Sequence, residues 1–486
     1  MEIMVDPAST LFAVLLGVVL CAVFTLLVLQ YSSFWLRDPI SGAALPKGSF
    51  GWPFIGESIA LLRNPLEFAS SHRKRYGTIF KSNVFLRKTI LGTTPEFARF
   101  VSLNKDLFKF YLPESMKFIS SNSVFWADGP LQVALKKTFK KFSLPESLQT
   151  MVQATESIVL EHLASWEKQG TVVGSEAAKK LVAGTSSYVA LGIKNIYSTP
   201  EGRSAVENMI KLTSGFGAIP INFPGTAYNK ALKAREPVRE YMKSILEQRK
   251  HQLDNHCGML TSLLDDREKA RDSDEMKDYH DYNMIDDMVG TWFGAFKTSA
   301  TTMTWTLKFL VDNPDIFRRM QAEQQEILKG KDLSRAGPRL TWEDLKKMKY
   351  TVKVFQEVQR SLSLAYLISR EAAQDIVYDG VCIPKGWLVL PLVTYVHHDP
   401  NNYEDPDSFN PDRFKAASKP NNYIPFGMGA HRCPGEEVAK MIFLIYCHYL
   451  STTYKYERVG PDQGKIYKAG FPEIIGGYPI KVSQRI

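Results

Sequence analysis

With 486 residues, 44% of them hydrophobic, the chain can bury a large core, and it reads neither as a disordered tail nor as a small disulfide scaffold. Lys and Arg number 60 against 51 Asp and Glu, a formal +9, but both signs are scattered and no basic run is dense enough for a nucleic-acid footprint. The surplus suits a solvated surface, or one that lies on anionic lipid or docks an acidic redox partner. Cys21, Cys257, Cys382, Cys433 and Cys447 contain no CxxC and no paired spacing, so they indicate neither a zinc site nor a disulfide framework and fit a reducing, cytosol-facing domain.

In chain order, the first element is the uncharged run Leu11–Leu29 (LFAVLLGVVLCAVFTLLVL). It is close to the roughly 20 residues a helix needs to cross a bilayer core, so it predicts a membrane-spanning helix. Glu2 and Asp6 stand where a cleavable signal would carry basic residues, and Arg37 and Lys47 follow the run, which predicts a cytoplasmic location for the rest. Pro46, Gly48, Gly51 and Pro53 then make a stiff tether, because proline fixes φ and forbids helix. The division expected is an anchor over 1–36, a tether over 37–56 and one domain over 57–486, with no later linker, repeat or charge block.

Thr78–Phe85 and Lys88–Gly92, rich in β-branched and aromatic residues, predict a strand pair. From Pro145 onward the pattern is mostly helical, with Glu236–Gln252 and Pro314–Leu328 combining strong helix formers with apolar residues at helical spacing. Asn283–Asp312 predicts a helix long enough to cross the domain, stopped at Asn313-Pro314. Gly294 and Ala295, near its middle, are small enough for a flat ligand or a neighbouring helix to approach. Asp375–Tyr378, Trp387–Leu392 and Tyr478–Val482 read as short strands. The fold class expected is mainly α with a minor β region.

The sharpest chemical signal is Phe426-Gly427-Met428-Gly429-Ala430-His431-Arg432-Cys433-Pro434-Gly435, followed by an amphipathic segment, Glu436–Tyr449. Its glycines permit a tight loop, and a sulfur placed just before a helix N-terminus sits where thiolate charge is favoured.

This loop resembles the haem-binding signature of cytochromes P450, and the resemblance runs over almost the whole chain. Glu357-Val358-Gln359-Arg360 resembles the family's ExxR element, and Phe409-Asn410-Pro411-Asp412-Arg413-Phe414 its later aromatic-Pro-x-Arg element. The resemblance implies haem b between the long central helix and the cysteine loop, its iron ligated by the Cys433 thiolate. Phe426, Gly429 and Gly435 belong to that loop, and Glu357, Arg360 and Arg413 form a structural network behind the cofactor. It also implies electrons from NADPH through an NADPH–cytochrome P450 reductase, and a single-pass protein of the endoplasmic reticulum acting on a lipophilic small molecule.

Two departures stand out. In the family the central helix carries an acid and then a threonine beside the oxygen site; here Thr298 keeps the hydroxyl, but Lys297 replaces the acid. These two are the candidate catalytic positions. For the haem propionates, the family's aromatic or His followed by Arg becomes Gln132 and Lys136, which keeps charge but loses the bidentate fork. Arg370, His397 and His431 resemble other propionate contacts.

Pro46-Lys47-Gly48, Gly51-Trp52-Pro53-Phe54-Ile55-Gly56-Glu57, Asn222-Phe223-Pro224-Gly225-Thr226, Thr304-Trp305 and Ile383-Pro384-Lys385-Gly386-Trp387 are similar to plant enzymes of terpenoid and steroid hormones, most of all abscisic acid 8'-hydroxylases. Substrate contacts are expected near Tyr111–Trp126, Ile210–Phe223, Met288–Thr298, Ser363–Ile368 and Gly470–Ile475, apolar segments that suit an apolar ligand. The expected activity is hydroxylation of an isoprenoid-derived substrate with O2. The rivals are an oxygen-independent haem-thiolate isomerase or dehydratase, and a haem protein that binds a hormone without turnover.

Overall fold

The computed structural model describes residues 14–26, 43–52, 55–112, 119–120, 123, 129–218, 220–250, 258–269, 278–329, 331, 340–364, 369–415, 421–468 and 471–485. Residues 14–26 are helical, and Val14, Leu15, Leu16, Val18, Val19, Leu20, Phe24 and Leu26 on that helix are all exposed. The remainder of the expected span lies outside the described residues, among which no helix is long and apolar enough to cross a membrane.

Among the described residues, four helices besides 14–26 precede Pro145, where the residue pattern alone first reads as helical: Ser58–Arg63, Pro65–Tyr76, Pro95–Leu103 and Pro130–Phe142. Three of them open on a cap followed by proline, Asn64-Pro65, Thr94-Pro95 and Gly129-Pro130. Proline at the first helical position forfeits no hydrogen bond, and the Asn64 and Thr94 side chains accept from Glu67 N at 3.2 Å and Phe97 N at 3.2 Å. The helix expected from Glu236 instead runs Ala227–Lys250, with Pro237 inside it. An interior proline costs about 3 kcal/mol; the buried stripe Ala231, Ala234, Val238, Met242, Ile245 and Leu246 offsets it.

The central helix, Asp281–Asp312, has 32 residues and stops at Asn313 as expected. At 1.5 Å per residue it is about 48 Å long. It packs most extensively against Gly174–Leu191, and Trp292 Nε1 donates to Ser186 Oγ at 3.0 Å across the seam. The helix that follows the cysteine loop, Glu436–Thr452, differs from the amphipathic expectation. Every residue from Met441 to Ser451 is buried, because Pro145–Gln169, Pro314–Leu328 and Lys349–Leu362 pack around it. A helix apolar on all sides belongs in the core.

The main sheet has five strands in the order Ile79–Val84, Arg87–Gly92, Leu388–Pro391, Arg370–Ala372, Phe108–Phe110. All neighbours are antiparallel except Arg87–Gly92 with Leu388–Pro391. Pro479–Gln484 joins Thr171–Val173 and Tyr454–Arg458 in a second sheet, and Lys465–Lys468 pairs with Phe471–Ile474 as a hairpin.

Lys349–Leu362 brings Glu357 and Arg360 to the interior, where both are fully buried. Arg360 donates to the Glu357 carboxylate through Nε at 2.8 Å and Nη2 at 2.9 Å; Arg413 Nε at 3.0 Å and Asn410 N at 2.8 Å add two more donors. Arg360 Nη1 also reaches His397 O at 2.8 Å, and Arg413 reaches Glu404 O, Asp405 O and Ser408 O. The two guanidiniums lie over the Tyr403 ring. On a helix surface an i,i+3 pair contributes only a few tenths of a kcal/mol, but removing one partner of a buried pair strands the other. Glu357→Gln should therefore cost on the order of 3–5 kcal/mol, read as a lowered urea midpoint; a change under 1 kcal/mol would show that the network carries no load.

His397 lies within this network and not on a cofactor edge. It is fully buried; its Nε2 accepts from Ile424 N at 3.0 Å and its Nδ1 meets Ser363 Oγ at 2.8 Å, while that hydroxyl donates to Arg360 O at 2.8 Å. Those partners require a neutral ring. Burial, with the charges of His398 and Arg360, lowers its pKa well below the usual value. The unfolded chain then binds a proton that the folded chain refuses, so stability falls as pH drops below about 6.5, by up to about 1.4 kcal/mol per unit from this group. His397→Gln should be less stable at pH 7 yet lose less between pH 7 and 5 in urea titrations; an unchanged slope refutes this assignment.

Candidate active site

Cys433 sits at the end of a loop folded by its own backbone. Cys433 N donates to Phe426 O at 2.8 Å, Gly427 N to Ile424 O at 3.1 Å and Arg432 N to Gly429 O at 3.1 Å. Gly427 and Gly429 both take positive φ, and a Cβ on Gly429 would lie 2.4 Å from Ser102 O. That position tolerates only glycine, for conformation and for space. Phe426 stacks on Phe355, ring centroids 6.1 Å apart, and so seats the loop on Lys349–Leu362. Gly429→Ala should push the loop off Ser102 and cost about 2 kcal/mol, measured as a lower Tm; an unchanged Tm would mean that the loop position is not enforced there.

The sulfur opens onto a cavity of about 550 Å³ that reaches the central helix at Gly290, Thr291, Gly294, Ala295, Thr298 and Ser299. Cys433 is exposed to this space, yet the sulfur lies deep inside the protein, and depth governs its protonation. Burial and the nearby Glu436 push the thiol up; the Gly435 amide, Lys136 and Arg432 pull it down without prevailing. Arg432 is spent partly on Glu436, at 2.7 Å. A metal cation bound at the sulfur would deprotonate such a thiol outright.

Cations collect at one edge of the cavity. Lys136, on Pro130–Phe142, lines it, and burial lowers its pKa, helped by the charge of Arg370 and opposed by Cys433. Ser143 Oγ, at the end of that helix, donates to Pro434 O at 2.6 Å, tying Lys136 to the cysteine loop. Arg370 and His431 line the same edge with Phe110 between them. The Phe110 ring stacks on His431 at 4.6 Å, and the Arg370 guanidinium lies 5.3 Å from its centroid. Gln132 is buried one turn before Lys136 and does not line the cavity; its Nε2 has no hydrogen-bond partner among the described residues.

A flat dianionic iron ligand fits these residues. The sulfur faces open space, a Cβ at Gly294 would meet no atom within 4 Å, and Lys136, Arg370 and His431 stand at one edge. Phe426 and Gly435 line the cavity, whereas Gly429 acts from beneath the loop. Thr298 lines it too, its Oγ1 donating to Gly294 O at 2.7 Å. Lys297 does not. Its ammonium is ion-paired with Glu473 and lies 5.8 Å from the Phe471 ring centroid.

The expected substrate segments contribute Tyr111, Phe216, Thr291, Leu364 and Phe471 to the wall; much of Tyr111–Trp126, all of Ser363–Ile368 beyond Leu364, and Gly470 lie outside the described residues. Val182, Thr185, Ser186, Val189 and Ala190 of Gly174–Leu191 also line the cavity, as does Phe110. The residue pattern singled out none of these. The small-residue run of that helix was the available signal, since it requires a close neighbour.

The cytochrome P450 family pattern matches residues 46–465. Abscisic acid 8'-hydroxylase 2 of Arabidopsis thaliana is 34% identical over 93% of this chain and 92% of its own length. Abscisic acid 8'-hydroxylase 1 of Oryza sativa subsp. japonica is 34% identical over 91% of this chain and 92% of its own. Among solved structures, cyanobacterial CYP120A1 bound to retinoic acid superposes with a TM-score of 0.81 at 24% identity, covering 91% of this chain and 100% of that one.

Proposed function

The chain belongs to the cytochrome P450 family of haem-thiolate monooxygenases, and from that premise we propose that it hydroxylates a lipophilic, isoprenoid-derived substrate. A terpenoid or steroid-like hormone such as abscisic acid is the substrate class favoured. The observation that carries this reading is the largely apolar cavity held between Cys433 and Thr298, which has to admit both the flat cofactor and an apolar guest.

When bound, haem supplies the oxygen chemistry, with a thiolate ligand favouring O–O cleavage. One oxygen atom of O2 enters the substrate C–H bond, and the other leaves as water after two electrons, drawn from NADPH through the reductase, and two protons arrive. The protein's own residues do the rest. Cys433 would ligate the iron, and Lys136, Arg370 and His431 would hold the propionate edge, with Gln132 buried one turn behind Lys136. Thr298 presents a hydroxyl to the cavity, where it can hold and pass a proton together with water. Val182, Val189, Phe216 and Phe471 exclude water and orient the guest. Glu357, Arg360 and Arg413 act in folding and cofactor retention, away from bond making.

Residues 1–36 serve as the anchor and 37–56 as the tether of a domain facing the cytosol at the endoplasmic reticulum, which the exposed apolar side chains of 14–26 support.

The reduced, carbon-monoxide-bound protein should show the thiolate-type Soret band, and Cys433→Ser should lose it; its survival in that variant would refute the ligand. With NADPH, reductase and O2, a screen of terpenoid hormones should yield a hydroxylated product. Turnover of a lipid peroxide alone would overturn the monooxygenase reading in favour of rearrangement.

A further inference from the structure

Lys297 stands beside Thr298 on the central helix, yet it reaches a different part of the protein. The strand Phe471–Ile474 is fastened to one stripe of that helix at two points: Trp305 Nε1 donates to Pro472 O at 2.9 Å, and Lys297 pairs with Glu473. Positions 297 and 305 are two helical turns apart on one face. Immediately before these two fastened residues the strand sends Phe471 into the cavity wall, where it meets Phe216 edge-on at 5.2 Å, with the Lys297 ammonium 5.8 Å from the Phe471 ring centroid. Both charged groups are mostly shielded, Lys297 at 18% and Glu473 at 26% side-chain exposure. Such a pair is screened less than an exposed one.

We propose that Lys297 is a specificity-determining positioning residue: by holding Glu473, it clamps Phe471 against Phe216 and sets the width of the cavity beside Thr298, favouring slim guests over bulky ones. This rests on the haem-thiolate reading above. It assigns Lys297 a role that does not require it to give up a proton, and it accounts for a cation at a place where the backbone turns the side chain towards the hairpin. The carboxylate that answers it is supplied by Glu473, 176 residues further along the chain.

The test uses the full-length protein and charge reversal. Lys297→Glu sets two carboxylates against each other, and the double variant K297E/E473K rebuilds the pair with its signs exchanged. Two readouts are followed: amide hydrogen exchange over residues 471–474, and the affinities for two iron-ligating probes, slim 1-octylimidazole and bulky clotrimazole, from the nitrogen-ligated absorbance shift. The wild type should prefer the slim probe. In Lys297→Glu that preference should fall by about fivefold, with faster exchange of the strand, and the double variant should restore both to within about twofold.

Unchanged preference and exchange in Lys297→Glu, or a double variant no better than Lys297→Glu, would overturn the clamp. Lys297→Met, which keeps the stem over Phe471 but removes the charge, covers a charge-reversed chain that fails to fold; it should show the same loss in smaller measure, and an unchanged preference there refutes the clamp equally. If neither probe produces a nitrogen-ligated spectrum, the haem-thiolate reading is what fails, and the exchange data still decide whether the ion pair holds the strand.

Discussion

A carboxylate taken out of water must be ringed by donors, and the way Glu357 meets that demand sets the positions of most of what surrounds the site. Its donors come from its own helix through Arg360 and from the distant loop through Asn410 N and Arg413. Arg360 in turn holds the carbonyl of His397, whose ring receives Ile424 N, two residues before Phe426. A chain of charge-assisted contacts thus leads from the interior of one helix to the start of the cysteine loop. Disturbing it would move Cys433 without touching it, so the network bears on the proposed iron ligand from a distance.

The cavity itself is ordered by a division of labour between charge and apolar surface. Lys136, Arg370 and His431 gather at one edge, and the walls nearer the central helix are mostly aliphatic or aromatic. Burial disfavours the charged form of Lys136, and the nearby Arg370 charge adds to that cost. Such an edge gains most when an anionic guest arrives. The same burial raises the Cys433 thiol. A dianion carrying a metal cation, bound there, would bring opposite charge to both groups at once.

What could be read from the residues alone was what lies contiguous in the chain. The cysteine loop, the i,i+3 pair Glu357 and Arg360, and the central helix with its stop at Asn313 are local patterns, and the structure assembles them as expected. Long-range partners were illegible. His397 resembles a propionate contact by its position in the chain, but its neighbours Ser363 and Ile424 make it a neutral strut. From the residues alone Lys297 is only a cation in place of the family's acid, because its partner Glu473 lies 176 residues further along the chain. Pro237 shortened the expected helix, since a local rule cannot weigh an apolar stripe that only packing reveals. The early helices were marked by cap-proline pairs, a signal present in the residues but outweighed by the strand-like segments between them.

The short strand Phe108–Phe110 lies at the edge of its sheet, and Phe110 is the direct cross-strand partner of Arg370. Side chains alternate between the faces of a sheet, so a slip of one residue in this three-rung ladder would turn Phe110 away and leave both Arg370 and His431 without the ring they share. The packing of Phe110 between Arg370 and His431, at the edge of the proposed cofactor site, therefore depends on this register. A slipped ladder would loosen that edge of the cavity while leaving the core and the cysteine loop built.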